Sequence, residues 1–393
     1  MPSEVVAAAA LMHRFAERTG VGSEGPQRRY LWTDAFAVCN FLGLARATGE
    51  SRYLDLALRL VEQVHRTLGS HRADDARRGW ISGLTAEEGA RHPTRGGLRI
   101  GKKLPERAPS EPSDDALEWD RDGQYFHYLT KWMHALDQAT RATGSAVFNT
   151  WARELAAAAD DAFVYTTASG ARRMHWKMSI DLRRPLVPSM GQHDPLDGFV
   201  TFAQLEATAA QLPQPTAGPS LRAAAGTLAS MIDTRGLATA DPLGLGGLLV
   251  DAYGVDQLER GGALETGGLR DLLLASALAG LEPYLRTGEL ERAAERRLAF
   301  RELGLAIGLR AVAHMRDAGS ADPTGDAIDA ELIESLAAHA PVADRIIAFW
   351  LGAAHATART WTEHLDINEV MLATALAPEG FLVLRPVDAN GGS

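Results

Sequence analysis

Apolar residues along most of this chain recur every three or four positions, the spacing that gathers them on one face of an α-helix. From Trp32 to Thr48 the stripe is Phe36, Val38, Phe41, Leu42, Leu44 and Ala45, and Thr48-Gly49 ends it, glycine being favoured just past a helix end. A second helix is predicted over 51–68, with Tyr53, Leu54, Ala57, Leu60, Val61 and Val64 on its apolar side. So short a turn makes the two antiparallel neighbours. The same unit returns over 125–163. Thr-Arg-Ala-Thr-Gly at 140–144 echoes Ala-Arg-Ala-Thr-Gly at 45–49, and Tyr125 opens its helix as Tyr30 opens the earlier one, both offsets being 95 residues. Tyr284-Leu-Arg-Thr-Gly288 is a weaker echo between helices predicted at 266–282 and 289–316.

Further helical patterns cover 4–18, 197–211, 220–233, 327–339, 342–361 and 366–376. A repeated helix pair cannot bury its apolar face alone and stacks on its neighbours. The expected fold is therefore all-α, an α/α toroid of about six helical hairpins with residues 1–393 as one domain. Strand signals are few: 171–187 alternates enough for a small β-hairpin, and 381–385 reads as a short strand. Two connections, 70–118 and 164–193, are too long for simple turns and are expected to cross one mouth of the ring. Gly244-Leu-Gly-Gly-Leu248 follows no strand, so it reads as a loose glycine cluster and not as a dinucleotide loop.

Composition narrows the function more than the fold. With 46% hydrophobic and 23% charged residues, the chain is too apolar for disorder. A formal net charge of −10 and the lack of a Lys/Arg-rich run argue against nucleic acid and against an acidic membrane surface. The single cysteine, Cys39, lies in an apolar helical stripe and excludes a disulfide framework or a multi-cysteine zinc site. No metal and no cofactor are expected. The N-terminus has no basic region before its short Ala-rich run, and no uninterrupted apolar stretch approaches a membrane span. A cytoplasmic protein is the resulting expectation. A homo-oligomer stays open, because an apolar helix face reads the same against its own core or a second subunit.

If hairpins alternate inner and outer helices, the inner helices start at one common end, and polar residues at those starts converge. The starts read Arg29-Tyr-Leu-Trp-Thr-Asp34, Glu118-Trp-Asp-Arg-Asp-Gly-Gln-Tyr-Phe-His-Tyr128, Met190-Gly-Gln-His-Asp-Pro-Leu-Asp-Gly198 and Trp361-Thr-Glu-His-Leu-Asp-Ile-Asn-Glu369. Each joins carboxylates to aromatic rings or histidine, the inventory for proton transfer and for stacking on sugars. The candidate catalysts are Asp34 and Asp122 for proton transfer, with Asp194, Asp197 or Asp366 as the second carboxylate. The candidate binding residues are Trp32, Trp119, Asp120, Tyr125, His127, His175, Trp176, Lys177, His193, Trp361 and His364. Arg29, Arg121 or Lys177 could hold an acidic substituent. The plainer reading is that Asp120, Asp194 and Asp366 only cap helices, where negative charge is favourable without catalysis. Asp34 is set apart because it lies inside an apolar helix.

The segment 31–57, with its aromatic-x-Asp start and Thr-Gly-Glu-Ser-Arg-Tyr turn, resembles the hairpin of the six-hairpin glycosidase-like superfamily. It is most similar to the unsaturated glucuronyl and rhamnogalacturonyl hydrolases, and more loosely to the N-acylglucosamine 2-epimerases. The resemblance covers 30–68 and 123–163 and implies a general acid/base at Asp34. The epimerases move the proton with two histidines, for which His127, His175, His193 and His364 are on offer. The leading expectation is thus a carbohydrate-active enzyme of glycoside hydrolase type acting on a small carbohydrate. The alternatives are a sugar epimerase or isomerase using paired histidines, and a non-catalytic ligand-binding toroid.

Overall fold

The computed structural model describes residues 2–23, 27–112, 114–214, 217–319 and 327–388. Its helices are α1 (Ser3–Thr19), α2 (Leu31–Thr48), α3 (Ser51–Leu68), α4 (Ala86–Arg91), α5 (Asp115–Glu118), α6 (Phe126–Thr143), α7 (Ala146–Phe163), α8 (Asp194–Gln211) and α9 (Arg222–Ser230). They continue with α10 (Pro242–Arg260), α11 (Leu269–Arg286), α12 (Ala299–Gly319), α13 (Ala327–Ala337), α14 (Ala340–Leu351), α15 (Arg359–Thr362), α16 (Leu365–Leu376) and α17 (Glu379–Leu382). The strands are β1 (Gln124–Tyr125), β2 (Val164–Thr166), β3 (Arg172–Met174), β4 (Lys177–Met178) and β5 (Pro185–Val187). The chain is all-α with small β elements, as its periodicity predicts. None of the described helices is long and apolar enough to cross a membrane.

The chain divides into two compact units, one holding 1–15, 46–49 and 233–384 and the other holding 16–45, 50–232 and 385–393. In the second unit α6 and α7 form the expected hairpin. Gly144 closes α6 with φ +68°, and its N–H bonds the Thr140 carbonyl, a left-handed helix end that glycine adopts at no steric cost. The apolar face of α6, including Phe126, Leu129, Trp132, Met133 and Leu136, is fully enclosed, and α8 packs on both α6 and α7. Cys39 is buried.

In the other unit α10 packs on α11 and α12, and α12 packs on α13, α14 and α16. The glycines clustered at 244–247 form the first turns of α10, a helix that the apolar pattern does not predict, opened by Asp241, whose side chain accepts from the Gly244 N–H. They serve close approach: a Cβ on Gly246 would stand 2.1 Å from the Gly304 carbonyl oxygen of α12. Low helix propensity in glycine is overridden by a helix crossing that only glycine permits.

Other boundaries shift for local reasons. Residues 289–298 hold two short 3-10 turns before α12 begins, and the helix expected over 342–361 stops at Leu351, leaving α15 separate. The strand expected at 381–385 is replaced by α17 and an extended tail whose Leu384 N–H donates to Gln257 at 2.7 Å. The 171–187 segment does hold strands, but β3 pairs back with β2 while β4 joins β1 and β5. That second sheet sets Tyr125 opposite Lys177 and Gln124 opposite Met178. The 70–118 connection is an ordered excursion: it contains α4, with a capping box between Thr85 and Glu88, and it bridges Ser70 to Trp80.

Candidate functional site

Asp34 and Asp122 are both buried, and both have their oxygens engaged. Asp34 Oδ1 accepts from Arg29 at 3.3 Å and Oδ2 from the Tyr30 N–H at 2.9 Å. Arg29 also donates to the Thr19 carbonyl, and its side chain is wholly enclosed. This pair fastens the chain entering α2. Asp122 is gripped still harder. Its Oδ2 accepts from Arg72 at 3.2 Å and Arg99 at 3.0 Å, and its Oδ1 from the N–H groups of Gly101, Lys102 and Gly123 at 2.9, 3.3 and 3.1 Å. Such a carboxylate locks the 70–122 excursion onto the entrance of α6 and has no lone pair left for a substrate proton.

The start of α8 is arranged differently. Asp197 is ionically held: Lys131 donates to Oδ1 at 2.6 Å and the Thr130 hydroxyl to Oδ2 at 2.6 Å. One turn earlier, Asp194 has only 9% of its side chain exposed, yet its Oδ2 has no hydrogen-bond partner. Burial, reinforced by the Asp197 charge, pushes its carboxyl up to about 7, against the opposing Gly191 amide and Lys131. A Cβ on Gly191 would stand 2.4 Å from Asp194 Oδ2, so a larger residue there would displace the carboxylate.

His127, on the first turn of α6, places Nδ1 3.9 Å from Asp194 Oδ1. That nitrogen is also buried without a hydrogen bond, although 29% of the side chain is exposed. Burial pushes the imidazole down to about 4, with Asp197 raising it and Lys131 lowering it. The site therefore offers a carboxylic acid that stays protonated toward neutrality beside an imidazole that stays uncharged. Unmatched buried polar atoms of this kind are costly and mark functional positions.

A run of aromatic rings leads outward from this pair. The Trp176 ring stacks on His127 at 6.1 Å and 20° and contacts Tyr125 at 5.4 Å. Trp119, 53% exposed, meets Trp176 edge-on at 5.2 Å. On the other side Tyr128 contacts both His127 and Tyr125 and reaches the half-buried Tyr30, whose hydroxyl lies 2.8 Å from that of Tyr128. Burial raises Tyr30 to about 12 and Tyr128 well above the usual phenol value, so both are neutral hydrogen-bonding groups. Trp32, buried, closes this end through Phe36 at 4.5 Å and Tyr128 at 6.4 Å.

The remaining sequence candidates have other placements. Lys177 is fully enclosed and donates to the Glu118 carbonyl at 2.6 Å, the Glu118 carboxylate at 3.2 Å and the Arg121 carbonyl at 2.8 Å. All three of its donors are thus used, and it stands over Tyr125 as a support of the sheet. Arg121 is paired with Glu111 at 2.7 Å. Asp120 is exposed, and its carbonyl accepts from Leu104 N–H. His175 stacks on Tyr165 at 4.3 Å beside β3, and burial lowers it. His193 is the residue before α8. Trp361, His364 and Asp366 belong to the other unit: Trp361 is core, stacked on Trp350 at 5.5 Å, His364 meets Phe300 at 5.7 Å, and Asp366 lies in the first turn of α16.

Sequence reasoning gave no role to Lys131, Tyr30, Tyr128 or Lys102. Lys131 stands four residues after His127, one helical turn along the same face, which is the signal that could have found it. Among the described residues there is no cluster of three or more His, Cys, Asp or Glu able to hold a metal ion.

No family model matches the chain, and no curated protein matches it. Among solved structures it is similar to one described as a sugar epimerase from a ruminal bacterium, at 12% identity and a TM-score of 0.47, covering 88% of this chain and 87% of that one. A likeness of that degree carries no functional weight, and the chain's own residues decide the reading.

Proposed function

We propose that the start of α6 and α8 forms a sugar site that moves protons on an open-chain sugar, as an isomerase or epimerase does. The observation carrying this reading is the neighbouring pair of a neutral Asp194 carboxyl and a neutral His127 imidazole, each with a buried atom lacking a hydrogen bond. Neutral imidazole takes a proton from the carbon next to the sugar carbonyl while Asp194 gives one to the carbonyl oxygen. The resulting enediol collapses to the isomeric sugar when the imidazolium returns its proton to the former carbonyl carbon and the Asp194 carboxylate takes the proton of the neighbouring hydroxyl, which becomes the new carbonyl. Lys131 is paired with Asp197, and the half-buried Trp176 ring supplies a flat surface for the apolar face of a sugar.

Hydrolysis would use the same raised carboxyl as general acid, but it needs a second carboxylate to activate water or stabilise the cation. Both Asp197 oxygens are occupied, as are those of Asp34 and Asp122. Proton transfer without cleavage is therefore the better reading. Proton NMR of aldoses and ketoses incubated with the protein in D2O checks it. Deuterium at carbon 1 or 2 with intact glycosidic bonds is expected, whereas released reducing ends would point to hydrolysis.

A further inference from the structure

The cations around the aromatic run are held in unequal ways. Arg29 is paired with Asp34, Lys131 with Asp197, Arg121 with Glu111, and Lys177 is saturated by Glu118 and Arg121. Lys102 is the exception. Its ammonium stands 5.4 Å from the centre of the Tyr30 ring and makes no hydrogen bond or ion pair among the described residues. Its backbone is fixed from both sides, the N–H donating to Asp122 and the carbonyl accepting from Arg72 at 2.6 Å. The charged groups facing it are Asp120 and Asp122, which favour its charge, and Lys177, which it opposes. Asp122 is spent on its two arginines, and the exposed Asp120 forms no ion pair with Lys102 among the described residues. Burial lowers the Lys102 ammonium below the usual lysine value, so a ligand anion would restore what burial takes away.

The ring beneath this ammonium belongs to the Tyr30–Tyr128 hydroxyl pair. Two phenols bonded to each other use one O–H, and the second O–H is left for a ligand oxygen. We propose that Lys102, together with this second phenol O–H, receives an anionic substituent, a carboxylate or a phosphate, on the sugar bound at the Asp194–His127 site. This rests on the proton-transfer reading for where the sugar ring sits, and the binding of the anion can be tested without turnover.

Calorimetric titration of the whole protein with glucose, glucuronate and glucose 6-phosphate is the direct test. Wild type should bind one of the two anions about tenfold or more tightly than glucose, since hydrogen bonds to a charged group are worth more than a factor of ten. Glucuronate as the tighter ligand identifies a carboxylate, and glucose 6-phosphate a phosphate. Lys102→Met and Lys102→Gln should each remove the preference while leaving glucose binding unchanged, and Lys102→Arg should keep most of it. Equal binding of glucose and both anions by wild type, no binding of either anion, or a preference surviving in both neutral variants overturns the assignment. Asp194→Asn separates the two ideas: it should slow deuterium exchange by about 10²–10⁴-fold and keep the anion preference. Exchange at the wild-type rate in that variant defeats the proton-transfer reading alone.

Discussion

Asp122 and Asp194 are both enclosed carboxylates close to a glycine, and they are held in opposite ways. Asp122 accepts from two arginines and three backbone amides, whereas Asp194 has an oxygen with no partner and a like charge one turn away. The first is a clasp. The second stores an unfavourable interaction that only a ligand or a proton relieves. Burial therefore does not distinguish a catalyst from a structural anion; the partners do.

The largest effect expected from this contrast is on stability. Asp122→Ala takes the carboxylate from Arg99, leaves Arg72 with Asp74 as its ion-pair partner and bares the N–H groups of Gly101, Lys102 and Gly123, and should cost about 3–5 kcal/mol, the penalty for breaking a buried ion pair on one side. Urea unfolding measures it, and a loss under about 1 kcal/mol would mean the clasp is dispensable. Asp194→Asn should do the reverse: a drop in sugar turnover of about 10²–10⁴-fold, typical for an acid–base group, in a protein at least as stable as wild type. An unfolded Asp194→Asn protein would erase the distinction between the two aspartates.

Next in size is the pH dependence. Asp194 is raised on folding, so its contribution to stability is fully present below the unfolded carboxyl value and is lost as pH rises through about 7. His127 is lowered, so its contribution is present above the unfolded imidazole value and lost as pH falls through about 4. Turnover should accordingly hold between about pH 4 and about pH 7 and decline on both sides. Thermal melts of Asp194→Asn at pH 8 should exceed wild type by a few degrees, an advantage that vanishes at pH 5. The smallest effect is expected for Trp176→Ala, which removes one stacking surface and should weaken sugar binding by about tenfold, read by calorimetry. No change would take Trp176 out of the site.

The same contrast explains what the sequence could disclose. The α6–α7 hairpin was legible because its Thr-Gly stop and apolar stripe are local. The α10 helix was not, since Gly246 is explained only by the Gly304 backbone that it approaches. Likewise the helix starts single out Asp34, Asp122 and Asp194 alike, but their spacing is silent about partners. The two arginines that engage Asp122 lie 50 and 23 residues away, and so a wrapped carboxylate and a bare one look alike in sequence. His127 stood among the binding candidates beside Tyr125; its pairing with Asp194 requires α6 and α8 to pack together. The lysine pattern was hidden for the same reason, because Lys177 and Lys102 differ only in what surrounds their ammonium groups.

The central claim, that Asp194 stays protonated toward neutrality beside the Lys131-paired Asp197, can be measured without any substrate. Carbon-13 NMR of carboxyl-labelled aspartate, with the Asp194 signal assigned by its loss in Asp194→Asn, gives the titration directly. A midpoint near 7 for Asp194 is the predicted result. An Asp194 midpoint near 4, the ordinary value for an aspartate, would show a solvated or paired carboxylate and would contradict the assignment of this residue as the acid.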